Sequence, residues 1–199
     1  MLCKLSQFLT GDDIKTLIIA FLTGILCLSN QAKASELNLK SVDKLDLNRY
    51  LGYWFQISHV PLSFEAGGKP TACARQRITF NNGIVEVQNT ANIQTVDGQP
   101  FSIKGFVEYS DPQSPSKFKV TLNVSPTQIA TGTFWVIGLD HNYRYSAVSN
   151  ENGTSLCILS RQPVLEESFY NEAIYQASGQ GLDISKLVFT EHNGCQYPN

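Results

Sequence analysis

The chain carries little charge of either sign: of 199 residues, 16% are Asp, Glu, Lys or Arg, and the formal net charge is −2 at pH 7. No cluster of Lys or Arg stands out, so the electrostatic footprint of a nucleic-acid binder is missing. The three histidines, His59, His141 and His192, are scattered singly, and no Cys-x-x-Cys occurs among the five cysteines. Metal-ligand spacing is therefore absent, and no metal is expected. There is no Gly-x-Ser-x-Gly elbow, no glycine-rich phosphate loop and no paired-carboxylate spacing, and nothing calls for a cofactor. The apolar run from Thr16 to Leu28 is shorter than the roughly 20 residues that a spanning helix needs.

That run belongs to a leader. Lys4 and Lys15 precede it, and Ala32-Lys33-Ala34 supplies the small-x-small pattern of a signal-peptidase site before Ser35. Residues 1–34 are expected to be a signal peptide and residues 35–199 one mature domain, long enough for a sizeable core. Asp12 and Asp13 dilute the positive n-region, which leaves an uncleaved signal-anchor as the alternative. Cys27 raises a lipid-attachment site, but Leu26 before it is too bulky for one. The expected localisation is secreted, extracellular or periplasmic. Beyond the leader lie Cys73, Cys157 and Cys195; in an oxidising compartment two of them should pair.

Period-two patterning dominates the rest. Phe101, Ile103 and Val107 alternate with Ser102, Lys104 and Glu108, and Phe118, Val120, Leu122 and Val124 alternate with Lys117, Lys119, Thr121 and Asn123. Such strands have one dry and one wet face. A first strand opens at Trp54, just after Gly52, and further strands are read at 73–80, 84–89, 133–139, 145–149 and 155–161. Asn82-Gly83, Asp97-Gly98 and Asn152-Gly153 carry residues that tolerate the positive φ of type I′ hairpins. Pro163 sets the start of one helix, whose stripe is Leu165, Phe169, Ala173, Ile174 and Ala177, and Gly179 and Gly181 stop it. A last short strand is read at 187–191.

These elements predict an all-β fold: an eight-stranded antiparallel up-and-down barrel, one C-terminal helix packed outside and a short final strand. Closure hides the sheet edges, and eight strands leave room for one small ligand. In such a meander Trp54, Asp140 and Arg161 all fall at one end, the floor. The mouth is then formed by residues 61–71, Asp97-Gly98, residues 125–131 and residues 150–153.

Gly52-x-Trp54, the Leu139-Asp140-His141 corner and Arg161 in Leu159-Ser160-Arg161 resemble the three short blocks of the lipocalin family, in order and at the right separations. The resemblance covers about residues 43–197. Asn48-Arg49-Tyr50-Leu51-Gly52-x-Trp54, Val136-Ile137-Gly138-Leu139-Asp140 and Ile158-Leu159-Ser160-Arg161-x-Pro163 are similar in wording to the apolipoprotein D and bacterial outer-membrane lipocalin group. The resemblance implies that Gly52, Trp54, Asp140 and Arg161 are structural, with Arg161 packing across the Trp54 ring. It also implies a disulfide between Cys73 and Cys195. The chain departs from the family in two places. The corner lacks the Thr and Tyr that often flank the aspartate, and the lipid-attachment cysteine of many bacterial relatives is missing.

Strand parity anchored on Arg161, with the family's register, turns a set of residues inward. It comprises Ala74, Gln76 and Ile78, then Val87 and Asn89, on strands two and three. Phe101, Ile103 and Val107, then Phe118, Val120 and Leu122, follow on strands four and five. Phe134 and Val136, Ala147 and Ser149, and Cys157 and Leu159 complete it on strands six to eight. This mostly apolar set is what a small-molecule pocket requires. The expected function is non-enzymatic binding of a small hydrophobic ligand, a fatty acid or lysophospholipid first, for transport, storage or membrane maintenance. Peripheral membrane contact is left open. Trp54 and Trp135 are expected to report an occupied barrel. The alternatives are a carrier of a pigment or sterol-like ligand, and a thiol enzyme, isomerase or peroxide-reducing, that uses Cys157. No histidine has a strand position from which contact with Cys157 can be argued.

Overall fold

Alternating side chains need two environments, and a closed sheet provides both. The computed structural model describes residues 37, 39–61, 69–111, 113–125 and 127–197; the expected leader, 1–34, lies outside them. A one-turn helix α1 (Leu47–Tyr50) leads into β1 (Gly52–His59), β2 (Thr71–Asn81), β3 (Ile84–Ile93) and β4 (Pro100–Tyr109). β5 (Lys117–Ser125), β6 (Gln128–Leu139), β7 (Tyr145–Ser149) and β8 (Leu156–Ser160) follow. Then come helix α2 (Glu167–Ser178), a 3-10 turn (Ile184–Lys186) and β9 (Val188–Phe189). Strands β2 to β8 pair in sequence, β8 pairs with β1, and β1 pairs back onto β2, so eight antiparallel strands close into a barrel. β9 adds to β1 outside that circle, with Ser58 opposite Phe189 and His59 opposite Val188.

The barrel wall separates two clusters. Inside, Tyr50, Trp54, Ile78, Val87, Phe118 and Val136 pack together toward the floor. Outside, Ala173 and Ala177 of α2 sit on Ile137, Tyr145, Ala147 and Ile158. Small residues on the helix let it approach the sheet closely. Beside them Gln176 donates from Nε2 to the Tyr145 hydroxyl at 3.1 Å.

Several boundaries differ from the patterning, each for a backbone reason. β6 begins at Gln128 rather than 133, because Gln128 to Gly132 continue the ladder with β5 although their side chains follow no apolar alternation. Helix α2 starts at Glu167, four residues after Pro163, and Val164 between them is 79% exposed. β9 keeps only two residues of the run expected at 187–191. The turns also divide. Asn82 (φ 51°) and Gly83 (φ 85°) both take the left-handed conformation of a type I′ turn. In the β3–β4 connection the positive φ falls on Gln94 (71°) instead, and Gly98 serves close approach: a Cβ there would lie 1.9 Å from the Ile93 carbonyl oxygen. In the β7–β8 connection only Gly153 of its pair is left-handed, and the Asn150 side chain holds the turn by accepting from the N–H groups of Thr154 and Ser155.

Cys73 and Cys195 form a disulfide across 122 residues of sequence. It fastens the C-terminal tail to the mouth end of β2, where Cys73 N–H also donates to the Glu191 carbonyl at 2.8 Å. So long a closed loop restricts the unfolded chain strongly, by about 4–5 kcal/mol on the loop-entropy argument. Reduction, or the double change Cys73→Ser with Cys195→Ser, is therefore expected to lower the urea midpoint by an amount equivalent to about 3–5 kcal/mol. An unchanged midpoint would mean that the tail's backbone contacts hold it alone.

Candidate functional site

The floor of the barrel is built from three sequence-distant pieces. Asp46 caps α1, accepting from the Asn48 and Arg49 N–H groups, and α1 delivers Tyr50 to the barrel interior. Gly52 then turns the chain at φ 99°, with the Arg161 guanidinium 3.4 Å from where a Cβ would stand. The Arg161 guanidinium carbon lies 3.7 Å from the centre of the Trp54 ring. Its Nη1 donates to the carbonyls of Leu51 (3.0 Å) and Tyr53 (2.9 Å), its Nη2 to that of Arg49 and its Nε to that of Tyr143 (3.3 Å). Burial lowers its pKa, yet a guanidinium starts high enough to stay charged. Trp54 is fully buried and donates from Nε1 to the Tyr50 carbonyl at 2.8 Å. The Tyr50 hydroxyl meets Ser146 Oγ at 2.9 Å, and burial raises its pKa.

The β6–β7 corner closes the same end. Asp140 Oδ2 accepts from the backbone N–H groups of Asn142 and Arg144, and the Arg144 side chain adds bonds of 2.9 and 2.8 Å. The bonds from Arg144 hold its carboxyl well below the usual carboxylate range. His141 beside it is exposed.

Above the floor runs a cavity of about 370 Å³. Ala74, Gln76 and Ile78 of β2, with Val87 and Asn89 of β3, line it as the parity predicted. So do Phe101, Ile103 and Val107 of β4, and Phe118, Val120 and Leu122 of β5. Phe134, Cys157 and Leu159 complete the predicted residues that do. Three of the expected residues do not line it. Val136 is buried below, in the floor cluster with Trp54 and Tyr50. Ala147 and Ser149 face the other way. A bulge in β6 between Val136 and Gly138 shifts the register, and Val136 pairs with Val148, so Val148 takes the inner face of β7. Ala147 packs instead under α2, and the Ser149 hydroxyl donates to the Ser155 carbonyl at 2.5 Å. Trp135 likewise belongs to the outer cluster, with the Lys117 ammonium 4.2 Å from its ring centre, which leaves Trp54 as the tryptophan beside the cavity.

Parity alone also missed inner residues. Tyr50 and Leu47 reach the cavity from α1, and Gln56 from β1. Gln56 is committed: its Oε1 accepts from the Cys157 thiol at 3.7 Å and its Nε2 donates to Thr190 Oγ1 at 3.3 Å. A bulge in β1 between Gln56 and Ser58 brings His59 directly opposite Cys157 in the β1–β8 ladder. Directly opposed residues share a face, so a histidine does stand beside this thiol. Burial lowers the His59 pKa, which keeps the ring neutral at pH 7. The bulge is a tertiary feature with no mark in the sequence.

The lipocalin-like domain family matches residues 45–192. The chain is 31% identical over 154 residues to temperature-induced lipocalin-1 of Arabidopsis thaliana, an alignment spanning 75% of this chain and 80% of that protein. It is 29% identical over 171 residues to outer membrane lipoprotein Blc of Vibrio cholerae, spanning 84% of this chain and 95% of that one. Among solved structures, insecticyanin from the tobacco hornworm Manduca sexta superposes with a TM-score of 0.63 at 19% identity, covering 80% of this chain and 88% of the other. At that identity the likeness speaks to fold alone.

The Asp140 corner makes a pH-dependent prediction. A carboxyl whose pKa is lowered by folding contributes stability that is fully present above its unfolded value, about 3.9, and is lost as pH falls toward the folded value. Asp140→Ala is expected to cost about 1–3 kcal/mol at pH 7, because the Asn142 and Arg144 N–H groups lose their acceptor. The gap between wild type and variant should narrow below about pH 4. Thermal unfolding scans across pH measure it, and a gap independent of pH would show that the charge is immaterial.

Proposed function

Because the chain belongs to the lipocalin-like family, we propose that it carries or stores a small hydrophobic ligand, with the acyl chain of a fatty acid or lysophospholipid held in the barrel. The observation that carries this reading is the cavity of about 370 Å³, sealed at the floor by Trp54 and Arg161 and walled by aliphatic and aromatic side chains. Its volume lies in the range of small-molecule sites. An unbranched tail packs against Ile78, Phe118 and Phe134, and the polar head points to the mouth, where Thr71 and Thr131 stand. Each buried methylene contributes about 0.8 kcal/mol before ordering costs, so a long tail supplies the affinity without any charged contact. Val124 and Ile129, exposed on the mouth-side β5–β6 hairpin, support contact with a membrane from which such a chain is loaded.

The same reading places the protein outside the cytoplasm, with the leader removed after Ala34 for transport, storage or membrane maintenance. The mature protein is then expected to begin at Ser35, which intact-mass measurement of secreted material checks. A chain that retains residues 1–34 would favour an uncleaved anchor. Cys157, inside the cavity and opposite His59, favours the thiol-enzyme alternative as the second reading.

Titration with palmitate and lysophosphatidylcholine, followed by Trp54 fluorescence, is expected to give saturable one-to-one binding. Leu122→Asp is expected to weaken it about tenfold or more, since it sets an unpaired carboxylate beside the chain. Absence of binding, together with rapid thiol titration and a turnover abolished in Cys157→Ala, would shift the assignment to the second reading.

A further inference from the structure

Among the described residues the lower half of the inner wall carries a polar side-chain pair with no hydrogen-bond partner. Gln76 of β2 and Asn89 of β3 are cross-strand partners, and both line the cavity. Gln76 also stands opposite Trp54, which places the pair one step above the floor. Around it Ile78, Val87 and Ile103 are apolar. The Gln76 Nε2 atom is buried and has no hydrogen-bond partner among the described residues. A buried donor left in that state costs free energy comparable to a lost hydrogen bond, so its place on the wall calls for an acceptor from within the cavity. Gln56 shows the contrast, since both ends of its amide are engaged by Cys157 and Thr190.

The electrostatics select the kind of acceptor. Arg75 is the one charged residue among the described residues that line the cavity, and its guanidinium lies over the rings of Tyr53 and Tyr197, 4.5 and 5.3 Å from their centres. Strand alternation puts Arg75 on the opposite face from Gln76. Arg161, below Trp54, gives its donors to backbone carbonyls. An ionised carboxylate at this depth would lose its hydration without gaining a cation, whereas an uncharged carbonyl needs only one or two N–H donors.

We propose that Gln76 and Asn89 form a subsite for an uncharged carbonyl oxygen, that of a ketone, aldehyde or ester, at the buried end of an apolar ligand. The inference rests on the reading of the barrel as a lipid site and adds a second ligand class. Acids and lysophospholipids enter tail first with the head at the mouth, while chains ending in a neutral carbonyl enter oxygen first. Selection follows from the unpaired donor, because a ligand without an acceptor leaves it unpaired.

The test compares 2-dodecanone with dodecanoate, two probes of similar length, by Trp54 fluorescence. Gln76→Leu is expected to lower the ketone-to-acid affinity ratio about threefold to tenfold, the equivalent of one neutral hydrogen bond. Asn89→Leu should move the ratio in the same direction. Infrared spectra of carbonyl-13C 2-dodecanone bound to the wild-type protein give a readout independent of either variant folding. The carbonyl stretch is expected at lower frequency than in hexane. An unshifted stretch, or a ratio unmoved in both variants while dodecanoate still binds, overturns the subsite and leaves the lipid reading standing. Failure of both probes to bind the wild-type protein removes the two together.

Discussion

Everything else in the barrel depends on the contact between Arg161 and Trp54. One guanidinium covers an indole at 3.7 Å and donates to carbonyls from the end of α1, the start of β1 and the β6–β7 corner. Those carbonyls lie where α1 gives way to β1 and where β6 turns into β7, and an arginine with five donors in a rigid fork suits so spread a set better than a lysine would. Gly52 is the condition for it, since its left-handed φ bends the chain around the guanidinium. The result is a floor in which the large aromatic side chain is fully buried and the cation below it is matched by carbonyl oxygens.

A sealed floor makes the cavity one-ended. Tyr50 contributes from the other side, its hydroxyl tied to Ser146 and its ring 4.8 Å from that of Trp54. Asp140 anchors the neighbouring corner by backbone N–H groups and Arg144, which keeps β6 and β7 in register with the floor. At the opposite end the Cys73–Cys195 disulfide holds the tail against β2. The barrel is thus stiffened at its two ends by different means, with a mostly apolar inner wall between them.

That division gives the functional reading its physical basis. Residues that close the floor have their polar atoms engaged and are structural. The residues above it are mostly apolar, the exceptions being Gln56, Arg75, Cys157, the Gln76–Asn89 pair and a few threonines, and their packing leaves the 370 Å³ cavity. On the proposed reading, affinity for an acyl chain comes from desolvation, and discrimination among chains from the amide donor that the wall leaves unpaired.

The amino-acid sequence by itself determined the strand count, the hairpin order and the blocks at Gly52, Trp54, Asp140 and Arg161. Alternation and turn residues are local, and a meander converts chain order directly into position around the barrel. The inner faces of β2 to β5, from Ala74 to Leu122, were legible from parity once the family resemblance supplied the register. What only the tertiary structure decided lies where parity breaks. The β6 bulge sends Val148 inward and Ala147 and Ser149 outward, and the β1 bulge brings His59 opposite Cys157. A bulge is one extra residue fitted to the partner strand and to the bend of a closing sheet, so its cause is in the neighbour rather than in its own residues. The unpaired Nε2 of Gln76 belongs to the same class, whereas the Cys73–Cys195 pairing, implied by the family resemblance, is borne out. Such features depend on which side chains meet across the closed barrel, and no single strand records that.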